Sequence, residues 1–368
     1  MKRLLFILGT RPEAIKLCPV IRHIRSCPQF EARVCATAQH REMLDQVLET
    51  FDIRPDYDLD LMQAGQSLSE LTARLLPALD PVFAAEAFDM AVVQGDTSTT
   101  MAGALTAFYR QVPVAHVEAG LRTHDLGQPF PEEMNRQVTS RLATLHFAPT
   151  ECARLNLLAE GVPSKRIHVT GNTGIDAVLY VARSLESGAL CVPGWPGHDR
   201  SKKLIVVTAH RRESFGEGIQ RICRALAELA GRGDVQVVYP VHRNPKVLDP
   251  VCRNLAGFSG IHLIEPLDYV AFVDMMRRAH LLITDSGGIQ EEAPSLGKPV
   301  LVLREVTERP EAVEAGTVKL VGTDPRCIVD EAARLLDDPA ECARMSRIHN
   351  PYGDGYASQR IADAILQQ

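Results

Sequence analysis

The chain has 368 residues, of which 45% are hydrophobic and 23% charged. This composition is typical of a folded globular protein and excludes disorder, collagen and coiled coil. Forty basic and 46 acidic residues give a net charge of −6, so there is no overall basic field for nucleic acid or an anionic membrane.

Short runs of Val, Ile and Leu alternate with longer amphipathic stretches along the chain. The runs are continuous, as in parallel strands buried on both faces. The predicted strands are 3–8, 32–37, 89–94, 112–117, 144–148, 166–169, 203–208, 235–239, 261–264, 280–284 and 299–303. Between them, the clearest helical stretches are 12–26, 40–51, 67–86, 97–110, 216–231 and 268–278. This alternation predicts an α/β protein with two doubly wound sheets.

The boundary between the two sheets is predicted from composition. Residues 183–202 are rich in Gly, Pro and Ser, as domain boundaries often are, and the strand at 166–169 ends shortly before a Gly-Asn pair. We place the first domain at 1–172 and the second at 173–353, with 173–202 forming the helix and loop that lead into it.

Cysteine usage and apolar runs indicate the compartment. The nine cysteines are scattered without a C-x-x-C pair, which argues against a disulfide framework or a zinc ribbon and favours a reduced, cytoplasmic protein. No apolar run approaches the roughly 20 residues of a membrane span. The apolar start of the chain is too short for a signal peptide and reads better as a buried first strand.

The first strand is followed by a glycine turn and a helix start. Thr10 and Glu13 have the spacing of a capping box, and Arg11 and Lys16 add two cations. Because open α/β sheets bind ligands at the carboxyl ends of their strands, this loop is a candidate anion site. An ordinary capped helix with solvated charges is the alternative.

Three carboxylates are expected at the same edge of the first sheet. Asp96 follows strand 89–94, Glu118 follows strand 112–117, and Glu132 begins a helix. Taken singly, Asp96 reads as a helix cap and Glu132 as a first-turn acid that favours the helix dipole. Three acids beside a basic loop point instead to a polar reaction site.

The second half has its own polar strand ends. His210 and two arginines follow strand 203–208, a pattern that fits a phosphate site or a solvated charge run. His242 follows the next strand, where an ordinary polar loop residue explains it at least as well as a functional role. After strand 280–284, the Ser286–Gly288 turn opens a helix that carries Glu292, a pattern that suits phosphate and ribose hydroxyls. This is the most specific local signal in the chain.

Motifs of other enzyme classes are missing from the sequence. There is no G-x-G-x-x-G after the first strand, no G-x-x-x-x-G-K-[ST], no H-E-x-x-H and no G-x-S-x-G. Dinucleotide dehydrogenases, P-loop kinases, zincins and serine hydrolases therefore lack their usual support.

A series of segments resembles the non-hydrolysing UDP-N-acetylglucosamine 2-epimerases, in the same order from about residue 3 to 365. They are GTRPEAIK (9–16), TAQHREMLDQVL (37–48), QGDT (94–97), HVEAGLRT (116–123), PEEMNR (131–136), TGNT (170–173), HRRESFG (210–216), TDSGGIQEEAPSLGKPV (284–300), TERPEA (307–312), AGTV (315–318) and NPYGDG (350–355).

The resemblance implies a fold and a reaction. Two Rossmann-like domains would face each other across a cleft, as in glycosyltransferases of the B type, with the C-terminal helix at about 354–368 crossing back to the first. The reaction implied is interconversion of UDP-GlcNAc and UDP-ManNAc without NAD, metal or other cofactor. It would proceed by elimination of UDP and its re-addition, in a cytoplasmic homodimer that supplies bacterial surface polysaccharides.

The resemblance also implies roles for particular residues. The catalytic residues would be Asp96, Glu118, Glu132 and His210. Contacts to the sugar and diphosphate would come from Arg11, Lys16, Asp96, Glu118, Arg136 and His210. The UDP contacts would be Leu267, Phe272, Ser286, Gly287, Gly288, Glu292 and Arg309, with Glu292 on the ribose and the Ser-Gly-Gly turn on phosphate.

Some positions depart from the family pattern. Leu267 replaces a common Gln near the uracil, which leaves only a backbone contact there, and Gln128 replaces a common Ser. A second, regulatory UDP-GlcNAc site matches at Gln39, Gln66 and His242. At that site, however, Glu42 replaces a Gln and Gly65 an Arg, so allosteric regulation stays open.

Four other functions remain as alternatives. A retaining glycosyltransferase would need an acceptor, and a hydrolysing epimerase would release free ManNAc and UDP. An epimerase of a modified UDP-sugar, such as a diacetamido-uronic acid, is the nearest substrate alternative. A non-catalytic nucleotide-sugar sensor would tolerate loss of Glu118 without any effect on turnover.

Overall fold

A computed structural model of the chain describes residues 1–37, 41–61, 63, 65–194, 199–307, 309–347 and 349–368. The chain divides into two compact units. The first comprises Met1–Ala177 and Tyr352–Gln368, and the second comprises Val178–Pro351.

The first unit is built from seven strands and the helices between them. The strands are β1 (Lys2–Leu8), β2 (Phe30–Ala36), β3 (Tyr57–Asp58), β4 (Met90–Gln94), β5 (Val114–Val117), β6 (Leu145–Ala148) and β7 (Ile167–Val169). The helices are α1 (Arg11–Ser26), α2 (Arg41–Thr50), α3 (Leu68–Ala85), α4 (Ser98–Tyr109), α5 (Glu132–Leu142), α6 (Glu151–Ala159) and the C-terminal α15 (Ala357–Leu366), with a 3₁₀ turn at Ser164–Arg166. Helix α7 (Thr173–Glu186) starts in this unit and continues into the second.

All strands of the first sheet are parallel, in the order β3-β2-β1-β4-β5-β6-β7. The strand order reverses between β1 and β4, which is the position where doubly wound sheets bind ligands. Leu5, Ile7 and Val93 of these strands lie in one buried core with Leu75 and Leu79 of α3. The C-terminal helix belongs to this unit and packs on α1, and the Lys2 amine donates to its Ile365 carbonyl at 2.9 Å.

The second unit has six strands. They are β8 (Lys203–Thr208), β9 (Val235–Pro240), β10 (Ile261–Ile264), β11 (Leu281–Thr284), β12 (Val300–Val302) and β13 (Val318–Leu320). Its helices are α8 (Glu217–Ala230), α9 (Pro245–Leu255), α10 (Tyr269–Arg278), α11 (Gly287–Glu292), α12 (Pro310–Ala315), α13 (Pro325–Asp337) and α14 (Pro339–Ser346), with 3₁₀ turns at Arg212–Ser214 and Ala293–Leu296.

The second sheet repeats the plan of the first. Its strands are parallel in the order β10-β9-β8-β11-β12-β13, and the order reverses between β8 and β11. Ile205 and Val207 of β8 share a buried core with Ile283 of β11 and Leu226 of α8. The predicted α/β class with two doubly wound parallel sheets is confirmed.

The predicted strands and helices agree with the structure to within a few residues at their ends. Two strands were not predicted, β3 and β13, and each is a short strand at the edge of its sheet. In the described part of the chain, no helix combines the length and apolar character needed to cross a membrane.

Candidate functional site

The predicted residues of the first unit lie where its strands end. Arg11 begins α1 just after β1, Asp96 follows β4 after one glycine, and Glu118 follows β5 directly. Because β1, β4 and β5 are neighbouring parallel strands, these residues share one edge of the sheet, at its reversal point.

Glu118 has an unusual backbone conformation. Its φ is +63°, in the left-handed region, which costs a non-glycine residue roughly 1–2 kcal/mol. The Lys16 ammonium and the Gln94 side-chain amide both donate to its carboxylate, and only 9% of its side chain is exposed. The surroundings therefore hold this residue against its backbone preference, as is common at functional sites.

The carboxylate of Asp96 is paired with a predicted binding residue. Arg136 Nη2 lies 2.7 Å from Asp96 Oδ2, and Nε donates to the same oxygen at 2.9 Å. The Asn135 amide donates to the Asp96 carbonyl at 2.8 Å. The alternative reading of Asp96 as a helix cap is wrong, because the Thr97 hydroxyl caps α4.

Glu132, the third predicted acid, stands at the first turn of α5. Its Oε2 atom is buried and has no hydrogen-bond partner among the residues that the structure describes. A buried carboxylate oxygen without a partner costs free energy that a protonated or donating ligand would recover. The structure thus brings Lys16 to Glu118 and Arg136 to Asp96, and leaves a buried oxygen of Glu132 without a partner among the described residues.

Glu13 makes more contacts than the capping box that the sequence predicts. The predicted capping box with Thr10 is present, since the Thr10 amide donates to Glu13 Oε2 at 2.7 Å. The other carboxylate oxygen accepts from the Thr97 hydroxyl at 2.7 Å and the Thr100 hydroxyl at 3.1 Å. Burial raises the pKa of Glu13, opposed by these hydrogen bonds. One buried acid thus connects the start of α1, where Arg11 lies, to the loop that carries Asp96.

His116 is a second residue that the sequence did not single out. Its Nε2 donates to the Gly95 carbonyl at 2.7 Å, which fixes the turn that leads into Asp96. Its Nδ1 is buried without a partner among the described residues, which is consistent with a neutral ring. In the segment HVEAGLRT this histidine stands two residues before Glu118. That spacing places His116 on β5 and Glu118 at its end, and it could have identified His116 from the sequence.

The buried histidines His116 and His146, paired across β5 and β6, predict a loss of stability in acid. Burial lowers the pKa of His116 to about 4, and burial, with His116 nearby, lowers the pKa of His146 to about 3. The unfolded chain binds these protons below about pH 6.5. The contribution of the two neutral rings to the free energy of unfolding is therefore complete above that pH. It is lost as the pH falls towards their pKa values in the folded protein, by up to about 1.4 kcal/mol per pH unit for each ring.

The variant His146→Gln isolates one of these rings. Between pH 6.5 and 5, we expect its free energy of unfolding to fall by about 2 kcal/mol less than that of the unaltered protein. Urea unfolding at the two pH values measures the difference. Equal falls would show that His146 takes up its proton in the folded protein as easily as in the unfolded chain.

In the second unit, His210 follows β8 and is 40% exposed at its side chain. Its ring stacks on His242, with centroids 5.3 Å apart and planes 9° from parallel. Burial lowers the pKa of His210, while the Asp285 carboxylate acts in the opposite direction. The structure therefore brings together a predicted catalytic residue and a predicted regulatory one.

The Ser-Gly-Gly turn follows β11, on the other side of the strand reversal from His210. The Arg309 guanidinium lies against Gly287, where the carbon of an added methyl group would be 2.5 Å from its Cζ. Arg309 Nε also donates to Glu291 Oε1 at 2.8 Å. A cation thus lies directly beside the predicted phosphate turn of Ser286, Gly287 and Gly288.

The remaining predicted residues are more dispersed. Leu267 lies in the loop between β10 and α10, Phe272 in the first half of α10, and Glu292 at the end of α11. Leu267 and Phe272 are half-buried. The Glu292 carboxylate would be 3.8 Å from a methyl group added at Gly288, so it lies near the turn.

The predicted regulatory residues fall in different places. Gln39 lies outside the described residues. Gln66 lines a surface cavity of about 410 Å³ together with Gly65 and Glu70, and its side-chain oxygen accepts from Arg74. His242 is in the second unit, against His210. The second nucleotide-sugar site stays a prediction.

The chain is similar to known proteins over nearly its whole length. Residues 22–366 match the family model of UDP-N-acetylglucosamine 2-epimerases. The chain is 57% identical over 368 residues to the UDP-N-acetylglucosamine 2-epimerase of Salmonella typhimurium, covering 99% of this chain and 98% of that protein.

Solved structures are similar over the same length. One is the UDP-GlcNAc 2-epimerase of Neisseria meningitidis bound to UDP-GlcNAc, with a TM-score of 0.89, 47% identity and complete coverage of both chains. Another is the enzyme of Methanocaldococcus jannaschii in complex with UDP-GlcNAc and UDP, with a TM-score of 0.77, 32% identity and complete coverage of both chains.

Proposed function

The chain belongs to the UDP-N-acetylglucosamine 2-epimerase family, and we propose that it inverts C2 of UDP-GlcNAc by eliminating and re-adding UDP. In the first step, the C2–H and C1–O bonds break, giving 2-acetamidoglucal and UDP. In the second step, UDP returns to C1 while C2 takes a proton on the opposite face, giving UDP-ManNAc.

The chemistry explains the demand for several acids. The C2 proton is not acidic, since no carbonyl lies beside C2 in the ring, so direct deprotonation has no stabilised product. Elimination needs a base on one face of the sugar, and re-addition needs an acid on the other. Asp96, Glu118 and Glu132 are our candidates. The observation that carries this proposal is the position of Asp96 and Glu118 at one edge of the first sheet, each paired to a cation. Glu132 begins α5, the helix whose Asn135 and Arg136 contact Asp96, and its buried Oε2 has no partner among the described residues.

Cations suit the departing diphosphate, whose negative charge grows as the C1–O bond breaks. In the first unit the candidates are Arg11, Lys16 and Arg136. In the second unit the candidate is Arg309, which lies beside the predicted phosphate turn, while His210 is a candidate contact to the sugar. The relatives described as bound to UDP-GlcNAc and UDP support a UDP-sugar as the ligand.

The ribose contact proposed for Glu292 predicts a loss of UDP affinity. A hydrogen bond to a charged group contributes about 1.5–3 kcal/mol, so Glu292→Ala should weaken UDP binding by roughly ten- to a hundredfold. Calorimetry with UDP measures the change. Glu331→Ala is the matched control, because Glu331 is an ion-paired acid on α13 of the same unit. Unchanged affinity in Glu292→Ala would remove the ribose role.

Isotope labelling tests the proposed reaction. With UDP-GlcNAc alone in D₂O, we expect UDP-ManNAc with one deuterium at C2 and at no other carbon, observed by proton NMR. An ¹⁸O label in the sugar–phosphate bridge should scramble into the non-bridging oxygens of that phosphate, because the C1–O bond breaks. Oxidation at C3 or C4 would leave the bridge label in place, and product without deuterium at C2 would rule out the proposed chemistry.

The same incubation separates the other functions. A glycosyltransferase would need an acceptor, and a hydrolysing epimerase would release free ManNAc and UDP, visible by phosphorus NMR. An epimerase of a modified sugar would turn over UDP-GlcNAc poorly. We further propose a cytoplasmic homodimer that makes a precursor for surface polysaccharide, as the family resemblance implies.

Regulation by UDP-GlcNAc at Gln39, Gln66 and His242 is the remaining part of the proposal. If these residues bind a second UDP-GlcNAc, turnover of pure UDP-ManNAc should lag until UDP-GlcNAc accumulates. The coupling expected is about 1–3 kcal/mol. Progress curves without a lag would remove the regulatory site.

A further inference from the structure

Asp285 is a buried acid that is not explained by the proposed roles. It follows β11, its side chain is fully buried, and its Oδ2 accepts the backbone N–H groups of His210 and Arg211, each at 2.7 Å. These two bonds fix the loop after β8 to the end of β11. They use only one of the two carboxylate oxygens.

The other oxygen, Oδ1, faces the imidazole of His210. It lies 3.5 Å from His210 Nδ1 and has no hydrogen-bond partner among the residues that the structure describes. This distance is long for a hydrogen bond, but bonds of this kind commonly tighten when substrate binds. A buried carboxylate oxygen that faces an imidazole nitrogen favours a proton on that nitrogen.

One face of the His210 ring is stacked on His242. Nδ1 of His242 accepts the backbone N–H of Asn244 at 3.0 Å, so this nitrogen carries a lone pair and the His242 ring is neutral. The near-parallel stack then limits rotation of His210 out of its plane. One edge of the His210 ring thus faces a carboxylate, and one of its faces lies against an imidazole.

We propose that Asp285 is a positioning residue that holds His210 in the tautomer with Nδ1–H towards Oδ1 and with Nε2 turned away from the carboxylate, free for substrate. This inference rests on the proposed function only for the identity of the group that His210 Nε2 contacts. A carboxylate beside a histidine commonly sets the tautomer and ring orientation in this way. Sequence patterns do not reveal the pair, because the two residues are 75 positions apart.

The titratable and charged groups around the ring come from three loops. Asp285 faces it from the loop after β11, His242 from the loop after β9, and Arg211 from its own loop. Burial holds the pKa of His210 below its usual range, so the ring is largely neutral at pH 7.5, where its tautomer decides which nitrogen is the acceptor.

The first test uses the unaltered protein with ¹⁵N-labelled histidine. We expect the neutral form of His210 to show a pyrrole-like Nδ1 and a pyridine-like Nε2 in ¹⁵N NMR, with the signal assigned from His210→Gln. A proton on Nε2 in this spectrum would overturn the proposal, whatever the protein's activity.

The second test replaces Asp285 with asparagine. In Asp285→Asn the amide oxygen still accepts the two backbone N–H groups, but the amide nitrogen presents a donor to His210 Nδ1. We expect the tautomer to switch to Nε2–H, the pKa of His210 to fall further, and kcat to fall by about tenfold or more. A wild-type tautomer and titration in this variant would also overturn the proposal.

The matched control is Asp274→Asn, which alters another buried acid of the same unit, paired with Arg277 and Arg278 on α10. Its His210 spectrum should equal that of the unaltered protein. If the protein shows the expected tautomers but does not epimerise UDP-GlcNAc, the proposed function fails while the role of Asp285 in orienting His210 stands.

Discussion

Glu118→Gln is expected to lower the rate of epimerisation by a factor of about 10²–10⁴. The substitution keeps the size of the side chain but removes the ability to carry a proton between C2 and solvent. It also leaves Lys16 without the carboxylate to which it donates. Because an amide still accepts a hydrogen bond, we expect the effect mainly in kcat, with a smaller change in KM.

The control for this substitution is Glu31→Gln. Glu31 is also an ion-paired acid of the first unit, with Arg3 Nε at 2.8 Å, but it lies near the start of β2 and therefore at the opposite edge of the sheet. Its rate should stay within about twofold of the unaltered protein. Near wild-type turnover in Glu118→Gln, or an equal loss in Glu31→Gln, would refute the acid–base role of Glu118.

Most of the fold could be predicted from the sequence because most strands have a recognisable apolar pattern. A parallel strand between two helix layers is buried on both faces, so it reads as an unbroken apolar run, and KLIVVT at 203–208 coincides with β8. Edge strands lack this signal. β3 has two residues and β13 three, and pairing with β2 and β12 defines them rather than any local periodicity.

The sequence identified individual residues of the candidate site but not the contacts between their side chains. Chain order and motif matches identify Asp96 and Arg136, yet their ion pair joins residues 40 positions apart. Glu13 is a second example, because only its capping box with Thr10 is local enough to be predicted from the sequence. Its bonds to the loop after β4 depend on β1 and β4 being neighbours in the sheet.

Gly120 ends the segment after β5 that carries Glu118. Its φ is +91°, and the Asn156 amide donates to its carbonyl at 3.0 Å. A Cβ at this position would lie 2.2 Å from the backbone oxygen of Ala153 in α6. Backbone of a packed helix cannot yield as the tip of a side chain can, so either α6 or the end of β5 must shift.

Gly120→Ala should therefore combine two costs. The left-handed conformation disfavours alanine by roughly 1–2 kcal/mol, and overpacking against α6 adds about 1–3 kcal/mol. The matched control is Gly161→Ala, because Gly161 has a similar φ of +83° but nothing within 4 Å of an added Cβ. Only the conformational cost applies there. Urea unfolding of both variants separates the conformational cost from the overpacking cost. The activity of Gly120→Ala should fall as well, because the shifted segment carries Glu118. If the two alanine variants lose equal stability, the contact with Ala153 does not constrain the end of β5, and another contact must hold Glu118 in its left-handed conformation.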